Sequence, residues 1–148
     1  MARRPTPTRR LLALLAGCAL VAPAQADLVV IANPKAGVDQ LSREQVINIF
    51  LGRFRQLPSG IAAAPIDWPA GSGEKAAFYR KLVNKEPAEI NAYWARLVFS
   101  GRTPPPRETS GGAAMLELVG ASQGAIGYVD RAQADGRVKV VFEVEATR

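Results

Sequence analysis

The sequence predicts an α/β domain, a mixed sheet flanked by helices. Three observations point to it. Short apolar runs rich in β-branched residues lie near both ends, at residues 28–32, 124–129 and 138–144. Between them lie segments whose apolar residues recur at helical spacing, and turn chemistry separates the segments. Strands alternating with helices bury both faces of a sheet in layers.

The chain opens with a segment that does not belong to this domain. Arg3, Arg4, Arg9 and Arg10 precede an apolar run from Leu11 to Ala22, which ends at Ala24-Gln25-Ala26. A charged region, an apolar region and a small-x-small site, in that order, make a secretory signal. The run is far shorter than the ~20 apolar residues that span a bilayer, so no transmembrane anchor is expected. Residues 1–26 are therefore a signal peptide and residues 27–148 the working domain, periplasmic or secreted after cleavage between Ala26 and Asp27. The alternative is a lipoprotein anchored at Cys18, because Leu15-Ala16-Gly17-Cys18 also reads as a lipobox. Only five apolar residues separate Arg10 from Ala16, however, which is short for an export signal. The pair Arg9-Arg10 reads as plain charge rather than a twin-arginine signal.

The first strand, residues 28–32, is continuously apolar and ends at Asn33-Pro34, which marks it as an interior strand followed by a turn. Ser42-Arg43-Glu44-Gln45 is a capping box, and Val46, Ile49 and Phe50 continue at helical spacing until Gly52 ends the helix. Pro58-Ser59-Gly60 is a turn before a strand at residues 61–67. A loop at 68–73 leads to a helix at 74–83 that turns Phe78, Leu82 and Val83 inward. Pro87 opens the next helix, where Ile90, Tyr93, Trp94, Leu97 and Val98 form the cleanest apolar stripe, ended by Ser100-Gly101. Three consecutive prolines make 102–110 a stiff exposed connection. A short helix at 113–119 faces Met115, Leu118 and Val119 inward before the last two strands. The order is β-α-β-α-α-α-β-β, without an internal repeat.

Composition excludes most catalytic chemistries. The chain has no histidine and one cysteine, Cys18, so Cys/His zinc sites, intrachain disulfides and His-dependent triads are ruled out. No cofactor is implied, and the domain does not read as an enzyme. Of the 19 lysines and arginines four lie in the leader, which leaves 15 against 13 acids, a net +2. The basic residues are scattered among acids rather than set in a stripe with aromatics, so no nucleic-acid partner is expected.

Several segments carry a family resemblance. They are Ile49-Phe50-Leu51-Gly52-Arg53, Gly71-Ser72-Gly73 ahead of Phe78-Tyr79-Arg80, Tyr93-Trp94, Phe99-Ser100-Gly101 and Gly124-Ala125-Ile126-Gly127-Tyr128-Val129. In this order, across residues 29–129, they resemble the phosphate substrate-binding proteins of ABC uptake systems, and most closely the short one-domain relatives of that family. The resemblance implies one lobe of a type II periplasmic binding protein, with phosphate or a similar oxyanion held where strands end and helices begin. An ABC permease or another envelope protein would be its partner. Free amides and the positive dipole end at a helix N-terminus suit such a ligand.

The candidate ligand residues are Asn33 and Lys35 in the 33–38 loop and Ser72 and Gly73 in the 70–73 loop. The sequence departs from the family there: Glu74 stands where the phosphate binders carry a threonine, and Asp67-Trp68-Pro69 holds no arginine. The alternative function is therefore a non-transport periplasmic interaction module that keeps the fold without a ligand.

Each candidate also has a plainer reading. Ser72 would serve as a helix N-cap, and Lys35 and Arg53 as solvated surface cations. Tyr93 and Trp94 read as core, Gly127 as a site of close strand packing, and the pair Asp67 and Glu74 lacks a fixed separation for acid–base work. The leader reading predicts a soluble product that begins at Asp27. Intact-mass measurement on periplasmic material checks this, and a lipidated N-terminal Cys18 would overturn it.

Overall fold

The computed structural model describes residues 27–145. The leader, the Ala26/Asp27 cleavage site and the lipobox cysteine Cys18 fall wholly or partly outside these residues. Five strands form one sheet in the order β3-β2-β4-β1-β5. They are β1 (Leu28–Ala32), β2 (Ala64–Asp67), β3 (Arg107–Glu108), β4 (Ala125–Asp130) and β5 (Lys139–Glu143). β1 runs antiparallel to both β4 and β5, whereas β2 runs parallel to β4 and β3 parallel to β2. The sheet is mixed, as expected. β1 is an interior strand and all five of its residues are fully buried.

Four helices flank the sheet: α1 (Arg43–Phe50), α2 (Gly73–Val83), α3 (Pro87–Phe99) and α4 (Gly112–Ala121). The capping box forms as read. The Ser42 hydroxyl accepts from the Gln45 amide at 3.1 Å, and the Gln45 side chain accepts from the Ser42 amide at 2.9 Å. Gly52 then turns the chain with φ 74°, and a Cβ there would lie 2.9 Å from the Trp94 ring.

Neighbouring residues of a strand point to opposite faces, and β4 assigns the helices to layers. Tyr128 faces α1 and α2: its ring stacks on Phe78 at 3.7 Å and meets Phe50 edge-on at 5.8 Å. Gly127 faces α4, where Met115 and Val119 fill the space a side chain would take. α4 therefore covers one face, and α1 and α2 cover the other.

Four expectations need correction. The strand read at 61–67 starts only at Ala64, because the residues before it turn back and pair Ala62 with Gln56. The connection at 102–110 contributes the two-residue β3 at the sheet edge once the prolines are passed. On α4, Leu116 is buried and Leu118 half-buried, reversing their expected places. The α3 stripe is only partly used. Ile90 and Trp94 are buried, Tyr93 and Leu97 are half-buried, and Val98 is 54% exposed. α3 packs against α2, so a narrow strip of it is covered.

The entry to β4 sets a tight limit. A Cβ on Gly124 would lie 2.0 Å from the carbonyl oxygen of Ala62, a backbone atom of the chain leading into β2. On Gly127 it would meet the Met115 sulfur at 2.3 Å, the movable end of a flexible side chain. Gly124→Ala should therefore cost about 2–3 kcal/mol, the upper range of overpacking, and Gly127→Ala less. Urea midpoints of both variants against the unmutated protein check the ranking.

Candidate functional site

Asp67 ends β2 and is 2% exposed. An ionised carboxylate in such a place needs hydrogen bonds on all sides. Tyr79 of α2 donates to it at 2.7 Å, Tyr128 of β4 donates through its hydroxyl, and the Trp68 amide donates at 2.9 Å. Lys75 of α2 places its ammonium 3.7 Å from the same carboxylate. The Trp68 indole N–H donates to the Tyr128 carbonyl at 2.8 Å, so the chain leaving β2 is fixed twice. From the other side, the Thr109 amide donates to the Asp67 carbonyl at 2.9 Å and holds the β3 segment beside it.

The loop so anchored delivers α2. Gly71 turns with φ 84°. The Ser72 hydroxyl then accepts from the Lys75 amide at 3.3 Å, the N-cap role that the plainer reading assigned to it. Gly73 and Glu74 follow in the first turn. β3 leads in the same way through Gly111 into α4, whose N-terminus has no side-chain cap. β2 and β3 are parallel neighbours, so both helices begin at one edge of the sheet, yet α2 goes to the Tyr128 face and α4 to the Gly127 face. Adjacent parallel strands whose helices leave to opposite faces make a topological switch point, where open α/β sheets place ligands.

The electrostatics of this crevice are mixed. The helix starts favour an anion. Lys75 brings a cation to the start of α2, but it already lies 3.4 Å from Glu108 as well as close to Asp67, and Glu74 adds a further carboxylate in the first turn of α2.

Asn33 and Lys35 are not brought to this crevice. β1 runs antiparallel to β4 and β4 parallel to β2, so β1 ends where β2 begins, level with Ala125. The two candidate loops therefore lie at opposite edges of the sheet. Asn33 is 6% exposed and closes the end of α4: its amide group donates to the Val119 and Gly120 carbonyls at 3.0 and 3.1 Å. Its side-chain oxygen accepts from the Lys35 amide at 2.8 Å, and the Lys35 side chain is exposed. Sequence reasoning missed Tyr79, Tyr128 and Lys75 as the partners of Asp67, and the start of α4 as a second helix terminus. One signal was available, a lone aspartate closing a strand and followed at once by tryptophan.

No family model matches the chain, and no curated protein sequence matches it. Solved structures do. An ABC-type phosphate transport receptor from Vibrio cholerae superposes with a TM-score of 0.63 at 18% identity, over 78% of this chain and 45% of the receptor. The chain has the fold of a fragment of a periplasmic binding protein. A putative phosphate ABC transporter substrate-binding protein from Clostridium perfringens, solved with bound phosphate, gives 0.63 at 21% identity, over 78% of this chain and 44% of that one. PstS from Borrelia burgdorferi gives 0.63 at 13% identity, over 83% and 49%. This chain thus spans about half the length of the structures it matches. Those neighbours are named as receptors and binding proteins rather than enzymes, and among the described residues no helix is long and apolar enough to cross a membrane.

The buried network makes a pH prediction. Burial first, and then the negative charge of Asp67, push the hydroxyls of Tyr79 and Tyr128 well above the ordinary phenol value. Both stay protonated in the folded state, while the unfolded chain loses these protons from about pH 10. Stability should therefore be intact below pH 10 and fall above it, by up to about 1.4 kcal/mol per pH unit for each phenol. Urea melts from pH 8 to 11.5, with a Tyr79→Phe/Tyr128→Phe variant beside the parent, measure this. The variant should be less stable at pH 8 and have a shallower alkaline slope.

Proposed function

We propose that this chain is an oxyanion-binding component of the cell envelope that serves phosphate uptake, with the anion held weakly in the crevice beside Ser72 and Gly73. The observation that carries the reading is the switch point at the ends of β2 and β3, where two helix N-termini depart to opposite faces. A similar structure solved with bound phosphate supports it. The leader of residues 1–26 exports the chain to the periplasm, where it is released at Asp27 or, in the alternative, anchored through Cys18. Since binding proteins enclose their ligand between lobes and this chain matches about half of its neighbours, a partner such as an ABC permease or another envelope protein would complete the site.

A second reading is favoured by one observation. Lys75 is already neutralised by Asp67 and Glu108, and the Ser72 hydroxyl is engaged as a cap. An interaction module that keeps the fold without a ligand would have the same features.

Calorimetric titration of the chain from Asp27 with phosphate, sulfate and molybdate at low ionic strength separates the two, because exposed charges are least screened there. Wild type should bind phosphate weakly. Replacing the carboxylate in the first turn by a hydroxyl, Glu74→Thr, should tighten binding about tenfold, equivalent to about 1.4 kcal/mol. Adding Ser72→Ala should remove the gain. Tight wild-type binding that Glu74→Thr leaves unchanged would move the site elsewhere, and silence from all three proteins would favour the interaction module.

A further inference from the structure

Six arginines make no ion pair among the described residues: Arg43, which donates to backbone carbonyls, and Arg53, Arg55, Arg96, Arg102 and Arg107. The last five border two grooves that share the segment after α1. In the first groove Lys85 and Glu89 pair with each other. The second holds about 540 Å³, a ligand-pocket size, and contains Arg55, Arg102 and Arg107 with no carboxylate in its lining. Its apolar lining includes Ile49, Phe54 and Trp94. Phe54 is exposed, and Val98 and Phe99, 54% and 96% exposed, lie at the end of α3 nearby. A net positive, aromatic concavity calls for a ligand that is both anionic and apolar.

The shape of the ligand follows from the sheet edge. β3 pairs only with Ile66 and Asp67, so Ala64 and Pro65 have no neighbouring strand on that side. The groove occupies this gap, bounded by Pro104, Pro105 and Pro106, which have no N–H to offer. A groove that lies along a strand edge suits a chain in extended form. Arg55 is held in place, since its guanidinium donates to the Arg102 carbonyl at 3.0 Å, and it keeps further N–H groups to donate. Trp94 lines the groove, and its buried indole N–H has no acceptor among the described residues.

We propose that this groove binds an extended acidic segment of a partner protein. Carboxylates of the segment lie against Arg55, Arg102 and Arg107, and its apolar side chains against Phe54 and Trp94. The surface is separate from the crevice at Ser72, so it stands whether or not that crevice holds an anion.

The probe is a fluorescein-labelled octapeptide of alternating glutamate and leucine, followed by anisotropy on the chain from Asp27. Saturable binding is expected, weakened at least about tenfold by raising salt from about 0.05 to 0.5 M, since the contacts are charge pairs at a surface. Arg55→Glu/Arg102→Glu/Arg107→Glu should lose at least about tenfold in affinity. The corresponding triple change to glutamine should lose a substantial part of it, and far-UV circular dichroism confirms that each variant is folded. An alternating lysine and leucine peptide should not bind, and Glu74→Thr should bind the acidic peptide as wild type does. The proposal is overturned if the acidic peptide fails to saturate folded wild type, or if the folded arginine variants bind it equally well. Binding to phosphatidylglycerol vesicles without binding to the peptide would also overturn it, and would assign the surface to a membrane.

Discussion

A carboxylate sealed inside the domain is the constraint on which the rest depends. Burying an unpaired charge is prohibitive, so every group around Asp67 is selected by its need for donors. Tyr79 comes from α2, Tyr128 from β4, and the Trp68 amide from the next residue, so a single side chain ties three elements. The same aromatic rings supply apolar contact. Tyr128 stacks on Phe78, and Phe78 meets Tyr79 and Phe50 edge-on, so the polar centre lies within the aromatic core rather than apart from it. Removing one hydroxyl would leave a buried acceptor short of a donor, which costs more than the average hydrogen bond contributes.

This anchoring also decides what the crevice can do. The chain between β2 and α2 has little freedom, with Asp67 fixed at one end, the Trp68 indole bound to β4 and Ser72 spent on the cap. A loop held in this way is preorganised, which would lower the entropy lost on binding a ligand there. The same network also supplies the opposing charge. Lys75 sits between Asp67 and Glu108, so any anion arriving at the helix start would compete for a cation already shared by two carboxylates. Rigidity favours a ligand there and electrostatics disfavour it, which is why charge at position 74 is the discriminating variable.

Local chemistry was legible in the sequence where it is set by adjacent residues. The Ser42 capping box, Ser72 as an N-cap, Pro87 at the start of α3 and the apolar run of β1 all depend on short-range rules, and all form. Strand direction was not legible. A helix between two strands suggests a parallel crossover, but β4 lies between β1 and β2 and runs against the first, so Asn33 and Lys35 are carried to the edge away from Ser72. The α3 stripe misled for a related reason. Periodicity reports which face is apolar, not how much of it a neighbour covers, and Val98 and Phe99 remain in solvent. Tyr79 was hidden because it stands one position off the stripe defined by Phe78 and Leu82, and only the fold shows that Asp67 waits there for its hydroxyl.

The distribution of charge separates two surfaces that overall composition hides. Outside residues 1–26 the chain is nearly neutral, and counts alone favour no partner. In the fold, the acids Asp67 and Glu108 flank Lys75 at the crevice and Glu74 stands in the same helical turn, while Arg55, Arg102 and Arg107 line a groove without an acid. A free anion is drawn by the local potential, so it meets more positive charge at the groove than at the helix starts. What the crevice offers instead is directed amides, which select by geometry at short range. The two surfaces thus suit different ligands: the crevice a small anion that can strip its water against backbone N–H groups, the groove a longer chain whose charges are spaced along it.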